Sequence, residues 1–178
     1  MDTDIVKTAI LVALTTVYIP AYLEAATSTE CDSSEKIIFR CSISAKIALV
    51  CESKSLNNNF RYRYESPSGL GINFPAIGAY SRDVRLASHP TPGGSVSYIH
   101  FSNKGYDYYL IDDSSKNSDG SFSPFSKLVV LKGRKIVNHS ICENDDAGIS
   151  QDAYSNLSME AYALPMLKSS RMDSISPR

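Results

Sequence analysis

The sequence predicts an all-β fold: an antiparallel meander that closes as a barrel or a sandwich, is stapled by disulfides and ends in a weak C-terminal helix. Between Lys36 and Pro75, apolar or aromatic side chains recur at every second residue in four places. These sets are Ile37/Phe39/Cys41/Ile43, Ile47/Leu49/Cys51, Phe60/Tyr62/Tyr64 and Leu70/Ile72/Phe74, and a period of two puts each set on one face of a strand. Polar breaks of turn composition, Ser44-Ala45-Lys46, Asn57-Asn58-Asn59 and Pro67-Ser68-Gly69, separate them. The 4 cysteines all fall downstream of an apolar leader, and an even number in an exported chain favours disulfides over metal.

Residues 1–25 read as a cleaved export signal. Thr8 to Ile19 is mostly apolar, Pro20 breaks the run, and Ala25 or Ala26 offers a small residue for cleavage. The run falls short of the roughly 20 apolar residues that cross a bilayer. The rest of the chain divides into a β domain (26–142), an extension with a possible helix (143–164) and a disordered tail (165–178). A mature chain of roughly 150 residues makes one domain that buries about 70% of the surface its unfolded form exposes.

Within the first block, a hairpin turning through Ser44-Ala45-Lys46 sets Ile43 against Ile47, Cys41 against Leu49 and Phe39 against Cys51. Both apolar sets then share a face, and the opposite face carries Arg40, Glu52, Arg61 and Arg63. In that register Cys41 and Cys51 are diagonal neighbours, about 7–8 Å apart, beyond the usual disulfide Cα spacing of roughly 4.4–6.8 Å. Two connectivities remain open: Cys31–Cys41 with Cys51–Cys142, or Cys31–Cys51 with Cys41–Cys142. Either one ties Cys142 back to the first hairpin.

Further on, Val84-Arg85-Leu86 suits a short strand and His89 to Gly94 a loop. Val96–Phe101 and Tyr106–Ile111 flank Ser102-Asn103-Lys104-Gly105, a hairpin signal with Gly where a positive φ is wanted. Asp112 to Ser126 is polar and loop-like. Leu128–Leu131 and Lys135–Cys142 form a last hairpin around Gly133, bringing the expected count to about eight strands. Beyond Cys142, Ile149, Ala153, Leu157 and Ala161 recur at a four-residue step and, with Tyr154 and Leu164, outline one face of a short helix.

Composition narrows the function. A net charge of −1, with no long run of one sign, gives no electrostatic footprint for nucleic acid or an anionic membrane. The 3 histidines, His89, His100 and His139, lack the spacing of a metal site, and oxidised cysteines offer no thiolate to metal or to a Cys-His pair. No cofactor is expected. The chain has no G-x-S-x-G or H-E-x-x-H. Carboxylates gather at Asp112/Asp113 and at Glu143/Asp145/Asp146, where two of them brought together would suit general acid/base work.

The surface with most promise lies around Arg40, Arg61 and Arg63. The last two alternate with Phe60, Tyr62 and Tyr64, and Arg and Tyr carry much of the energy at protein contacts. An Arg61→Ala/Arg63→Ala variant is therefore expected to fold and to lose its partner.

Several spacings together carry a resemblance: Phe39-x-Cys41, Lys46-x4-Cys51-x-Ser53, Phe60-x-Tyr62-Arg63-Tyr64, Pro67 and Phe74-Pro75. Later come Ile99-His100-Phe101-x2-Lys104-Gly105-Tyr106-x-Tyr108, Val129-Val130 before Lys132-Gly133, and Cys142. Over Phe39 to Cys142 the chain resembles small secreted, cysteine-containing, β-rich proteins of Gram-negative bacteria, a group of unassigned function. Gly71 and Asn73 stand where that pattern leads one to expect an acidic residue before the Phe-Pro pair. The resemblance implies export and a β-rich fold and supplies no catalytic residue. Disulfide-stapled exported β domains of this size include lysozyme inhibitors and toxin immunity proteins. By that fold-level analogy the expectation is a periplasmic or extracellular, non-catalytic module of inhibitor or immunity type that binds another protein. The alternatives are a carboxylate-dependent hydrolase of cell-wall or small polar substrates, near Asp112 or Asp145, and a structural surface protein.

Overall fold

The computed structural model describes residues 30–56, 58–65, 71–75, 79–91, 93–116, 119–121 and 124–163. The expected export signal and tail, and with them Leu70 and Leu164, lie outside the described residues. The chain forms β1 (Glu35–Ile43), β2 (Lys46–Ser53), β3 (Phe60–Glu65) and β4 (Gly71–Phe74), then β5 (Arg85–Thr91), β6 (Gly94–Asn103), β7 (Tyr106–Asp113), β8 (Phe125–Lys132) and β9 (Lys135–Ile141). Short elements close it: β10 (Gly148–Ile149), α1 (Gln151–Asn156) and β11 (Ser158–Met159).

Two sheets result, one ordered β10-β1-β2-β3-β4 and the other β11-β5-β6-β7-β8-β9. They pack face to face as a sandwich, and of the two closures the alternation allowed, the barrel does not form. Strands consecutive within each meander pair antiparallel. The tightest turns fix this locally: Lys104 and Gly105 both take positive φ between β6 and β7, as a two-residue hairpin requires. β10 returns to pair with β1, and β11 pairs in parallel with β5.

The core between the sheets takes Phe39, Val50 and Tyr62 from the first and Leu86, Phe101 and Leu128 from the second, with Ala153 and Leu157 of the α1 region closing one side. Its centre is aromatic. The Phe101 ring lies 4.7 Å from Tyr62, 4.9 Å from Tyr108 and 5.0 Å from Phe74, centroid to centroid. A second apolar cluster, Ala87, Tyr98, Ile111, Val129 and Leu131, lies outside this core, with Tyr162 packed against it. There the Ala163 N–H donates to the Tyr98 hydroxyl at 3.0 Å, and burial pushes the Tyr98 phenol up to about 12.

The first hairpin differs from its expected register. The turn is Ser44-Ala45 alone, with Ser44 at φ 52°, so that Ile43 faces Lys46, Cys41 faces Ala48 and Ile37 faces Cys51, with a bulge between Ile37 and Phe39. As a consequence Ala48 and Val50 point into the core, and Leu49 and Cys51 share the opposite face with Arg63 and Arg61. Glu52, expected beside the arginines, is on the core side, where its Oε2 receives Lys36 at 3.1 Å and the Asn156 amide at 2.9 Å. Cysteine pairing is Cys31–Cys51 and Cys41–Cys142, the second of the two open connectivities.

Two further boundaries move. β5 continues through the expected loop to Thr91, and it accommodates Pro90 because β11 pairs only with Arg85 and Leu86, leaving β5 an edge beyond them. The helix is confined to Gln151–Asn156: Ile149 belongs to β10, and Ala161 lies after β11, outside any helix or strand.

Candidate functional site

Arg40, Leu49 and Arg63 are successive partners across β1, β2 and β3, and Ile37, Cys51 and Arg61 form the next row. All three arginines therefore share one outer face, as the alternation predicts. Their exposure is not as expected, since Arg61 and Arg63 are each only 7% exposed. The cover is the segment before β1, held down by the Cys31–Cys51 bond, together with Glu35 at the start of β1. Arg61 Nη2 donates to Asp32 Oδ2 at 2.6 Å and to Glu35 Oε2 at 2.7 Å, and Arg63 donates to the Glu30 carbonyl. The Arg61 contact holds the Asp32 carboxyl below its ordinary value. Buried charge demands such pairing, so this face is a structural clamp. Arg40 is more open, with Nη1 3.8 Å from Asp146 Oδ2.

Of the carboxylates considered for hydrolysis, Asp112 is likewise engaged. Asp112 accepts the Ile149 N–H at 3.2 Å and the Ser126 hydroxyl at 3.3 Å, tying β10 to β7, and burial raises its pKa. Asp146 accepts the Asn144 amide at 2.6 Å, and Asp145 is exposed. Of the histidines, His89 stacks on Tyr162 and His100 on Tyr109, with ring centroids 4.8 Å and 4.6 Å apart. His100 also meets Glu160 Oε1 at 3.2 Å. His139 lies on β9, where burial lowers its pKa. All four cysteines are oxidised, so none is a metal ligand.

A concavity that no single run of sequence outlines opens between the sheets, with a volume of about 390 Å³, within the roughly 300–1,000 Å³ of small-molecule sites. Tyr62 and Tyr64 of β3 face Tyr106 and Tyr108 of β7 across it, with aliphatic groups from β4, β8 and β9 between them. Lys46 stands at the rim, its Nζ 5.5 Å from the Tyr64 ring centroid, and Lys132 Nζ lies 5.2 Å from that of Tyr106. Tyr62 is wholly buried and its hydroxyl has no hydrogen-bond partner among the described residues. Burial raises its pKa well above the ordinary value, so the group is a neutral phenol. An unpaired buried hydroxyl costs on the order of 1–3 kcal/mol. No His, Cys, Asp or Glu lines the cleft among the described residues.

The signal for this site was present as two i, i+2 tyrosine pairs, Tyr62/Tyr64 and Tyr106/Tyr108, in a chain with 11 tyrosines. What the spacing lacked was the sheet-to-sheet pairing that sets β3 opposite β7. Compared with protein-family models, curated proteins and solved structures, the chain matches none.

Proposed function

We propose that this chain is an exported, non-catalytic module of inhibitor or immunity type that binds another protein through the β9 edge of its second sheet. The observation that carries this reading is the edge itself. β9 is seven residues long and ends the sheet order, so among the described residues no strand pairs with the outer side of its backbone. Ile141 is 50% exposed and Phe125 38%. They stand on one face, because Ile141 is opposite Lys127, two residues from Phe125. An edge carrying apolar side chains is a template for strand addition; Lys135 and the bulge at Val137 blunt the start of β9, which leaves Asn138 to Ile141 as the template.

Two further features support the reading. The two disulfides suit an oxidising compartment outside the cytoplasm, and no described helix is long and apolar enough to cross a membrane. Asp112, one of the two acids considered for hydrolysis, has both carboxylate oxygens occupied by structural hydrogen bonds. The test is capture from envelope extract by immobilised full chain, run alongside Ile141→Lys and a control, Met159→Lys, at the exposed β11. The reading expects a partner held by the parent and the control and lost by Ile141→Lys. Equal capture by all three removes the edge from the account, and a chain that retains no protein removes the binding reading.

A further inference from the structure

We infer that the partner segment received at the β9 edge is acidic, and that as it pairs with residues 138–141 it places one aromatic side chain in the mouth of the tyrosine-lined cleft. This inference rests on the strand addition proposed above and names the chemistry of the strand that is added.

Cleft and edge adjoin. The cleft is lined by Ile72 of β4 and by Val137 and Asn138 of β9, and β4 and β9 are the terminal strands of their sheets, so it lies on the side of the sandwich where both sheets end. Asn138 is opposite Val130 and Ser140 opposite Leu128. Val130 and Leu128 both line the cleft, which puts Asn138 and Ser140 on the cleft face of β9. In a strand laid along the outer side of β9, the residue opposite Asn138 shares that face and is carried to the mouth of the cleft. The walls it meets there are Tyr64 and Tyr106, both half-buried with ring surface still exposed, and ring-to-ring contacts favour an aromatic side chain at that place.

Charge selects what flanks the anchor. Lys46, Lys132, Arg134 and Lys135 are all exposed. Lys46 lines the cleft beside Tyr64, Lys132 stands over Tyr106, and Arg134 and Lys135 lead into the template. None of the four forms an ion pair among the described residues. Glu65 follows Tyr64 on β3 and so stands on its opposite face, and Glu143 accepts the Ser44 hydroxyl at 3.4 Å. Cations with no counter-charge beside an unpaired edge attract a negative strand and repel a positive one.

The probe is the peptide acetyl-Thr-Glu-Thr-Phe-Thr-Glu-Thr-amide, which in a strand carries its ring and both carboxylates on one face. Two comparison forms replace Phe by Ala, or both Glu by Gln. Titrated at low salt into the isotope-labelled, oxidised full chain, the parent peptide is expected to give saturable chemical-shift changes at Tyr64, Tyr106 and residues 138–141. The Ala form and the Gln form each bind about tenfold more weakly. Lys132→Gln/Lys135→Gln narrows the gap between the Glu and Gln forms to about threefold, as added salt does, and leaves the gap between the Phe and Ala forms unchanged. Both positions are exposed, so the thermal midpoint of that variant stays with the parent's and separates lost binding from lost fold. Strand addition also slows amide exchange at residues 138–141, which reports the edge independently of anchor and charge. Slowed exchange with all three peptides bound alike keeps the β9 edge and overturns this inference. Saturable binding that leaves exchange there unchanged removes the edge, and this inference with it. Absence of saturable binding overturns the inference and leaves the edge to the Ile141→Lys capture.

Discussion

Arg61 illustrates how one contact changes the meaning of a residue. On alternation alone it is a surface guanidinium with a partner to find. In the folded chain it bridges Asp32 and Glu35 beneath the Cys31 staple, and Glu35 beside it has no exposed side-chain surface. Removing the guanidinium strands a buried carboxylate, so Arg61→Ala is expected to lower the unfolding free energy by about 3 kcal/mol, read from the denaturant midpoint. The Arg61→Ala/Arg63→Ala variant, expected from sequence to fold and lose its partner, is on this geometry expected to be destabilised first. Asp32 supplies a pH signature. Its folded pKa lies below the ordinary 3.8, so its contribution is complete above that value and is lost as pH falls through the folded pKa. Stability profiles of the parent and Asp32→Asn should differ at neutral pH and converge in stronger acid. The arginine face was legible from Phe60 to Tyr64. Its cover was not, because Asp32 and Glu35 lie outside the periodic run, and the segment that carries Asp32 is tied down beside Arg61 by a disulfide that two connectivities left open.

Among the elements, β2 shows why period-two reading has a limit. Ile47 to Cys51 is unbroken apolar sequence, and either half can be phased inward. The structure buries both faces, Ala48 and Val50 against the second sheet and Leu49 and Cys51 under the clamp. A strand covered on two sides carries no alternation to read, so the expected register chose the wrong half. Turn chemistry succeeded where the backbone demanded it, at Lys104-Gly105. It failed at Pro90, where a loop-forming composition sits in a strand because that edge needs no N–H donor. The short C-terminal elements depend on Asp112, which fastens the Ile149 amide of β10. Asp112→Ala is expected to cost about 1.5–3 kcal/mol, the range for hydrogen bonds to a charged group, discounted toward the lower end because burial already disfavours its ionised form. Amide exchange at Ile149 should accelerate before that of the β6–β7 hairpin.

For the whole molecule, the disulfides act unequally. Cys41–Cys142 spans 101 residues of sequence and Cys31–Cys51 spans 20. Loop-closure entropy assigns about 4.7 kcal/mol to a cross-link over some 100 residues and about 3 kcal/mol to a short one. Cys41→Ala/Cys142→Ala is therefore expected to lower the urea midpoint further than Cys31→Ala/Cys51→Ala, a ranking that equilibrium melts of the two variants check. The sandwich was foreseen as one of two closures, and the even cysteine count foresaw the stapling. The cleft escaped because it belongs to neither sheet alone. Its walls come from strands roughly 40 residues apart in the chain, as with Tyr62 and Tyr106, and a one-strand pattern has no access to that juxtaposition.

The return of β10 to β1 also bears on biosynthesis. The opening strand acquires its outer neighbour from Gly148 and Ile149, and Cys41 finds its sulfur partner only at Cys142. While the nascent polypeptide is still being made, its first third has no way to complete its own sheet, and contacts this distant in sequence form slowly. On the export proposed above, a translocation channel that accepts only unfolded substrate would receive this chain still threadable, with final closure left to the far side.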